Sequence, residues 1–133
     1  MELFEKYLEE IKEDVRFDQI NILEKQLMLP AVKHKWVSYL IKNKIAKNNL
    51  EKKRKEVKEL TLKKLTDENL IPTGIPAAAL KSKVDSSESI KKIDEEIKDL
   101  GLIIEYLEKV EKIFSSITYD MGNATKLMVL ETT

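Results

Sequence analysis

The side chains that could do covalent or acid–base chemistry are few: one histidine and no cysteine. His34 stands in KHKW, and nothing adjacent in the sequence would activate it as a general base. A histidine exposed in a basic helix is the plainer reading. Asp94, Glu95 and Glu96 place three carboxylates in a row, but consecutive helical positions point in different directions. They read as a solvated helix face, not a metal site. No glycine-rich phosphate loop is present. The expectation is a non-enzyme with no catalytic residue, metal or cofactor.

Charge is a different matter. Residues 32–60 read VKHKWVSYLIKNKIAKNNLEKKRKEVKEL, with nine lysines and one arginine against three glutamates. The whole chain is formally neutral, yet residues 1–31 carry a net −4, residues 32–64 a net +9 and residues 65–133 a net −5. A basic centre between acidic ends reads as a located binding surface, although pairing between acidic and basic segments is an equally plain possibility. At about 100° per residue, Lys44, Lys47, Lys55 and Lys58 fall inside a wedge of roughly 80°. Lys42 and Lys53 form a second row, and Lys35, Lys52, Arg54, Lys63 and Lys64 add density. Lysine and arginine neutralise phosphates and release counterions, so such a surface suits sequence-independent, salt-dependent nucleic-acid binding. Trp36 and Tyr39 could stack on exposed bases. Burial of Trp36 against Leu40, as the anchor of the basic helix, is the preferred reading because large aromatics are usually interior.

These residues need elements to hold them, and the elements are helical. Phe4, Leu8, Ile11 and Val15, flanked by Leu3 and Tyr7, predict an amphipathic first helix. Asp18 is placed to cap a short second helix with Ile20, Leu23 and Leu27 on one face. Pro30 lacks an amide hydrogen and suits a first turn, so a new helix is expected from there to about Leu65. Its apolar residues thin out after Ile45, which means that it must project, lie against other chains or hold a polyanion. Residues 66–85, with two prolines and a glycine, read as a linker. Asp85 and Glu88 resemble a capping box, with Ser86 or Ser87 as alternative caps. Beyond them Ile90, Ile93, Ile97, Leu100, Ile104 and Leu107 recur in heptad spacing, and Phe114 resumes the face. This row is the expected oligomerisation seam. Gly122 is expected to break the helix before a short terminal one.

The fold class is therefore all-α, organised as an N-terminal helical region with the basic helix (1–65), a linker (66–85) and a C-terminal oligomerisation helix and tail (86–133). With 133 residues, the chain can bury a real but modest core. Absence of cysteine fits a reducing cytosol, and no apolar run is long enough for a membrane span. A basic helix acting alone would bind weakly; several copies assembled in a homo-oligomeric ring or bundle would multiply contacts on one strand. The rival expectation is a structural or scaffolding coiled-coil protein whose lysines pair with acidic neighbours. A nucleic-acid-binding enzyme subunit is a weaker third.

The ordered set EDVRFDQINILEKQLMLPAVKHKW (13–36), the basic helix, LKSKVDSSESIKKIDEEIK (80–98) and GLIIEYLEKV (101–110) resembles the UvsY family, recombination mediators of T-even-type bacteriophages. Matched features include Asp14-Val15, Asp18, Leu23-Glu24, Pro30, Lys35-Trp36, Leu80-Lys81-Ser82, Val84 and Glu105-Tyr106. The resemblance implies a small helical protein that forms a homo-oligomeric ring and binds single-stranded DNA without sequence preference. It also implies two further partners, the phage RecA-like recombinase and the phage single-strand DNA-binding protein, in the cytoplasm of the infected bacterial host. The protein would load the first onto DNA covered by the second, in recombination, repair and recombination-dependent replication. Family members often carry a basic-aromatic segment with a glycine just after the basic helix. Here LTLKKLTDENLIPTG has Lys63 and Lys64 but no aromatic, so the role carried over to Lys58, Lys63 and Lys64 is phosphate contact, not stacking.

Overall fold

The computed structural model describes residues 1–67 and 77–132, and among them the chain forms four helices and no strand. These are α1 (Glu2–Asp14), α2 (Ile22–Asp67), α3 (Ala77–Asp85) and α4 (Glu88–Thr132). The all-α expectation holds, and the differences lie at the breaks.

Helix α1 buries Tyr7 and Ile11, with Phe4 and Leu8 half-buried beside them. Val15 closes the helix instead of extending its stripe: its amide donates back to the carbonyl of Ile11. Asp18 then does what its position predicts. Its Oδ1 accepts the amides of Ile20 and Asn21, while Asn21 Oδ1 accepts the amide of Asp18 at 2.7 Å. This is the reciprocal logic of a capping box with asparagine in place of glutamate.

The expected restart at Pro30 does not occur, because α2 is one helix of 46 residues with Pro30 inside it. Proline removes the bond that its amide would give to the Gln26 carbonyl and crowds the preceding turn, at a cost of about 3 kcal/mol in a helix interior. Packing outweighs that cost: Ile22 and Leu29 before the ring, and Trp36 and Leu40 after it, are all buried. The last nine residues of the expected linker form α3, whereas residues 68–76 lie outside the described chain. Gly122 does not end α4, which runs on to Thr132.

The helices pack as two units, Met1–Lys42 with Ile103–Thr133, and Asn43–Leu102. In the first, Tyr7 and Ile11 of α1 and Trp36 and Leu40 of α2 join Ile103, Leu107, Val110, Phe114, Ile117 and Met121 of α4 as the buried core. Aromatic rings organise its centre. Tyr7 and Tyr39 stack with centroids 4.9 Å apart, and Trp36 meets both edge-on, at 5.8 and 5.3 Å.

In the second unit the basic part of α2 and the start of α4 run antiparallel. A Cβ on Gly101 would lie 3.9 Å from the Lys47 ammonium, Arg54 bonds to Asp94, and Lys58 bonds to Asp85. Ile90, Ile93 and Val84 are buried here. The facing row of α2 is buried Asn43 followed by half-buried Lys47, Leu50, Arg54, Val57, Thr61 and Leu65. That row keeps heptad spacing from Asn43 to Thr61, but Asn43, Lys47, Arg54 and Thr61 put polar side chains at four of its six positions. Such residues weaken a seam and fix its register.

Candidate nucleic-acid interface

The orientation of α2 sorts the expected DNA-binding cations into two groups. Lys42 closes the first unit and is exposed. In the second unit Lys44, Lys52, Lys53, Lys55, Lys63 and Lys64 are exposed, whereas Lys47, Arg54 and Lys58 are half-buried beside α3 and α4. The exposed set follows from the seam. With Asn43, Leu50 and Val57 turned toward α4, helical geometry sends Lys52 and Lys63 to the opposite side and Lys44, Lys53, Lys55 and Lys64 to the flanks. The wedge of Lys44, Lys47, Lys55 and Lys58 is thus split, two members outward and two toward the seam.

Two of the cations turned inward, Arg54 and Lys58, have acidic partners. Arg54 Nε donates to Asp94 Oδ1 at 2.6 Å and its terminal nitrogen to Oδ2 at 3.4 Å, a two-pronged contact. The same guanidinium lies 3.7 Å from Asp85 Oδ1, and the Lys58 ammonium is 2.8 Å from that oxygen. Hydrogen bonding from Asp94, working against burial and aided by the charges of Asp94 and Asp85, raises the Arg54 pKa further above its ordinary value. The Lys58 hydrogen bond, with Lys58, Arg54 and Lys81 as surrounding positive charges, holds the Asp85 carboxyl below its ordinary 3.8 against partial desolvation.

Lys35 is engaged in the first unit. Its ammonium bonds to Asp14 and lies 3.5 Å from Glu10. Burial opposes its charge, but the Asp14 hydrogen bond and the two carboxylates outweigh it, so its pKa is raised. Asp14 also accepts the Trp36 indole N–H at 2.8 Å. With only 3% of its surface exposed, Trp36 is the interior anchor and offers no face to a base. Tyr39 donates its hydroxyl to Glu10; burial first, then that carboxylate, raises its pKa.

The seam on α4 is likewise divided. Ile90 and Ile93 are buried in the second unit, and Leu107 and Phe114 in the first. Ile97, Leu100 and Ile104 are half-buried. The buried members of the heptad row therefore pack within the chain. Exposed apolar residues include Val37, Ile41 and Ile45 within α2 and two further stretches: Ile20, Leu23 and Leu27 around the start of α2, and Leu127, Val129 and Leu130 at the end of α4. A shallow groove lined by Phe17, Ile22, Ala124, Leu127 and Met128 lies between those two stretches in the first unit.

Sequence reasoning missed Asp85, Asp94 and Lys81 as neighbours of the basic helix. A usable signal existed, because Lys47 and Arg54 continue the heptad row of Asn43, Leu50 and Val57. Cations on an inward row require acidic partners on the facing helix. Among the described residues no group of three His, Cys, Asp or Glu is placed to hold a metal ion. No helix among them is long and apolar enough to cross a membrane.

Comparison with known proteins follows the same outline. Residues 10–132 match the model of a family described as recombination, repair and ssDNA-binding protein UvsY. No curated protein sequence matches the chain. Among solved structures, one crystal form of the bacteriophage T4 recombination mediator protein UvsY aligns with a TM-score of 0.80 at 16% identity, covering 96% of this chain and 98% of that one. A second crystal form aligns with a TM-score of 0.79 at 15% identity, covering 97% of each chain. At such low identity the structural likeness establishes the shared fold.

Proposed function

Because the chain belongs to the UvsY family of recombination, repair and single-stranded-DNA-binding proteins, we propose that it binds single-stranded DNA through α2. In this reading it helps a phage RecA-like recombinase replace single-strand DNA-binding protein on the strand, in the cytoplasm of the infected bacterial host. The observation that carries it is the exposure of Lys44, Lys52, Lys53, Lys55, Lys63 and Lys64 on one helix. Exposed ammonium groups around one helix neutralise phosphates without reading bases. The chemistry asked of such a mediator is association and exchange, so no catalytic group is required. The acidic ends of the chain suit basic surfaces on the protein partners. Copies of the chain act together, since several basic helices on one strand raise affinity through effective concentration.

Fluorescence anisotropy of a labelled oligonucleotide across a salt series tests this. Binding tightens as salt falls, and Lys52→Glu, Lys53→Glu, Lys63→Glu and Lys64→Glu combined flatten the slope of log K against log salt by about 2 to 3, at about 0.7 per phosphate contact on single strands. No binding to the unmodified protein at low salt would refute the proposal. The scaffold reading has one observation in its favour, the acidic neighbours that hold Lys35, Arg54 and Lys58. It expects the four-lysine variant to leave DNA behaviour unchanged because there is none to change.

A further inference from the structure

Two carboxylates of the second unit occupy cations that a phosphate chain would otherwise use. Asp85, the last residue of α3, contacts Lys58 at 2.8 Å and Arg54 at 3.7 Å; Asp94, on α4, holds Arg54 at 2.6 Å. We propose that Asp85 and Asp94 are internal competitors of DNA phosphate, holding Lys58 and Arg54 in the unbound protein and yielding them to the strand on binding. The inference rests on the single-strand binding proposed above and adds which cations are conditional and what controls them.

The geometry suits exchange. Side-chain exposure is 27% at Lys58, 29% at Arg54, 36% at Asp85 and 47% at Asp94, so every pair lies at the surface, and only Asp85 Oδ1 is itself shielded from water and must swing outward as its pairs open. Part-exposed pairs of this kind contribute little stability and are screened by salt. The backbone beside Asp85 is meanwhile fixed. Val84 is buried, the Ser87 amide donates to the Val84 carbonyl, and the Ser86 hydroxyl donates to the Lys83 carbonyl. Opening therefore needs only a side-chain rotation, and the carboxylate stays tethered at high effective concentration. A tethered competitor lowers affinity and hastens release, which suits a protein that must pass its strand on. The surplus of Lys58, Arg54 and Lys81 over two carboxylates keeps the locus net positive, so an approaching phosphate is still attracted.

The test measures oligonucleotide affinity and its salt slope for the full chain and for Asp85→Asn, Asp94→Asn and Glu96→Gln. Glu96 is exposed and stands outside these pairs, so its variant reports the effect of removing one negative charge from α4. The expected result is binding about 3- to 10-fold tighter for Asp85→Asn, with a salt slope close to the parent's, because the same cations reach phosphate in both complexes. Glu96→Gln should change affinity by less than about twofold, as expected for a screened distant charge. An Asp85→Asn affinity equal to that of Glu96→Gln, or weaker than the unmodified protein, would overturn the proposal while leaving DNA binding intact; the weaker case makes Asp85 a positioning residue for Lys58. If Asp85→Asn does not fold, Asp94→Asn, which frees Arg54, decides by the same criteria. Absence of binding by the unmodified protein removes the DNA reading and the competitor with it.

Discussion

Asp85 shows how one side chain can be read correctly as an anion and wrongly as a cap. Three residues before Glu88 it has capping-box spacing, yet its carboxylate turns to Lys58 and Arg54 and α4 begins beyond Ser87. Its pKa lies below 3.8, chiefly through the Lys58 hydrogen bond. A carboxyl whose folded pKa is depressed contributes stability that is present above its unfolded value and lost as pH falls through the folded one. Asp85→Asn should therefore be less stable than the parent at neutral pH, with the gap closing once pH drops below 3.8. Urea midpoints for both proteins across that range provide the measurement. A gap that stayed constant into acid would mean that shape, and not charge, sets the value of the contact. Trp36 is the opposite case. Its burial was legible because a large aromatic is usually interior and Leu40 stands one turn further along the same helix face. Its partners Asp14 and Tyr7 come from a different helix, and no spacing rule within α2 names them.

At the scale of elements, the helices were legible and their junctions were not. Periodicity reports which face of a segment is apolar, and it located α1, most of α2 and the start of α4. Whether a proline or glycine interrupts a helix depends on packing energy from residues far away in sequence. Pro30 is carried through because Ile22, Leu29, Trp36 and Leu40 anchor both sides of it. Gly122 is carried through because Met121 and Ile117 are buried in the same core. The heptad row on α4 was read as a seam between chains for a related reason. A pattern of apolar residues demands a cover but does not say whose. Here the cover for Ile90 and Ile93 comes partly from a helix whose own inward row includes Lys47, Arg54 and Thr61, which sequence inspection assigns to solvent. Gly122 also supplies the prediction at this scale. A methyl group added at its Cα would meet no atom within 4 Å, so Gly122→Ala should stabilise the protein by about 1 kcal/mol by removing the helix-interior glycine penalty. Thermal unfolding should show a midpoint higher by about 3–5 °C. A lowered midpoint would show that this position needs glycine for a contact with another copy of the chain.

For the whole molecule, the apolar surface left over is more informative than the apolar surface used. Ile20 is 96% exposed, Leu27 76% and Leu130 70%. Large apolar residues grouped on one part of a surface usually mark an interaction site. A second copy of the chain is the occupant that joint action of several copies requires, and the buried members of the heptad row, Ile90, Ile93, Leu107 and Phe114, are interior and not open to it. Two variants separate these surfaces. Ile93→Asp places an unpaired charge in the core of the second unit and should unfold that unit, because a buried unpaired charge has no compensating partner. Leu127→Glu with Leu130→Glu changes only exposed positions, so helicity and the thermal midpoint should survive while light scattering reports a fall to monomer. The same double variant should bind single-stranded DNA at least about 10-fold more weakly, since the gain from several basic helices on one strand disappears with the assembly. A monomer that kept full affinity would show that one copy of α2 suffices. Unchanged assembly would place the contact between copies on another face, with the half-buried row of Ile97, Leu100 and Ile104 the next to be substituted.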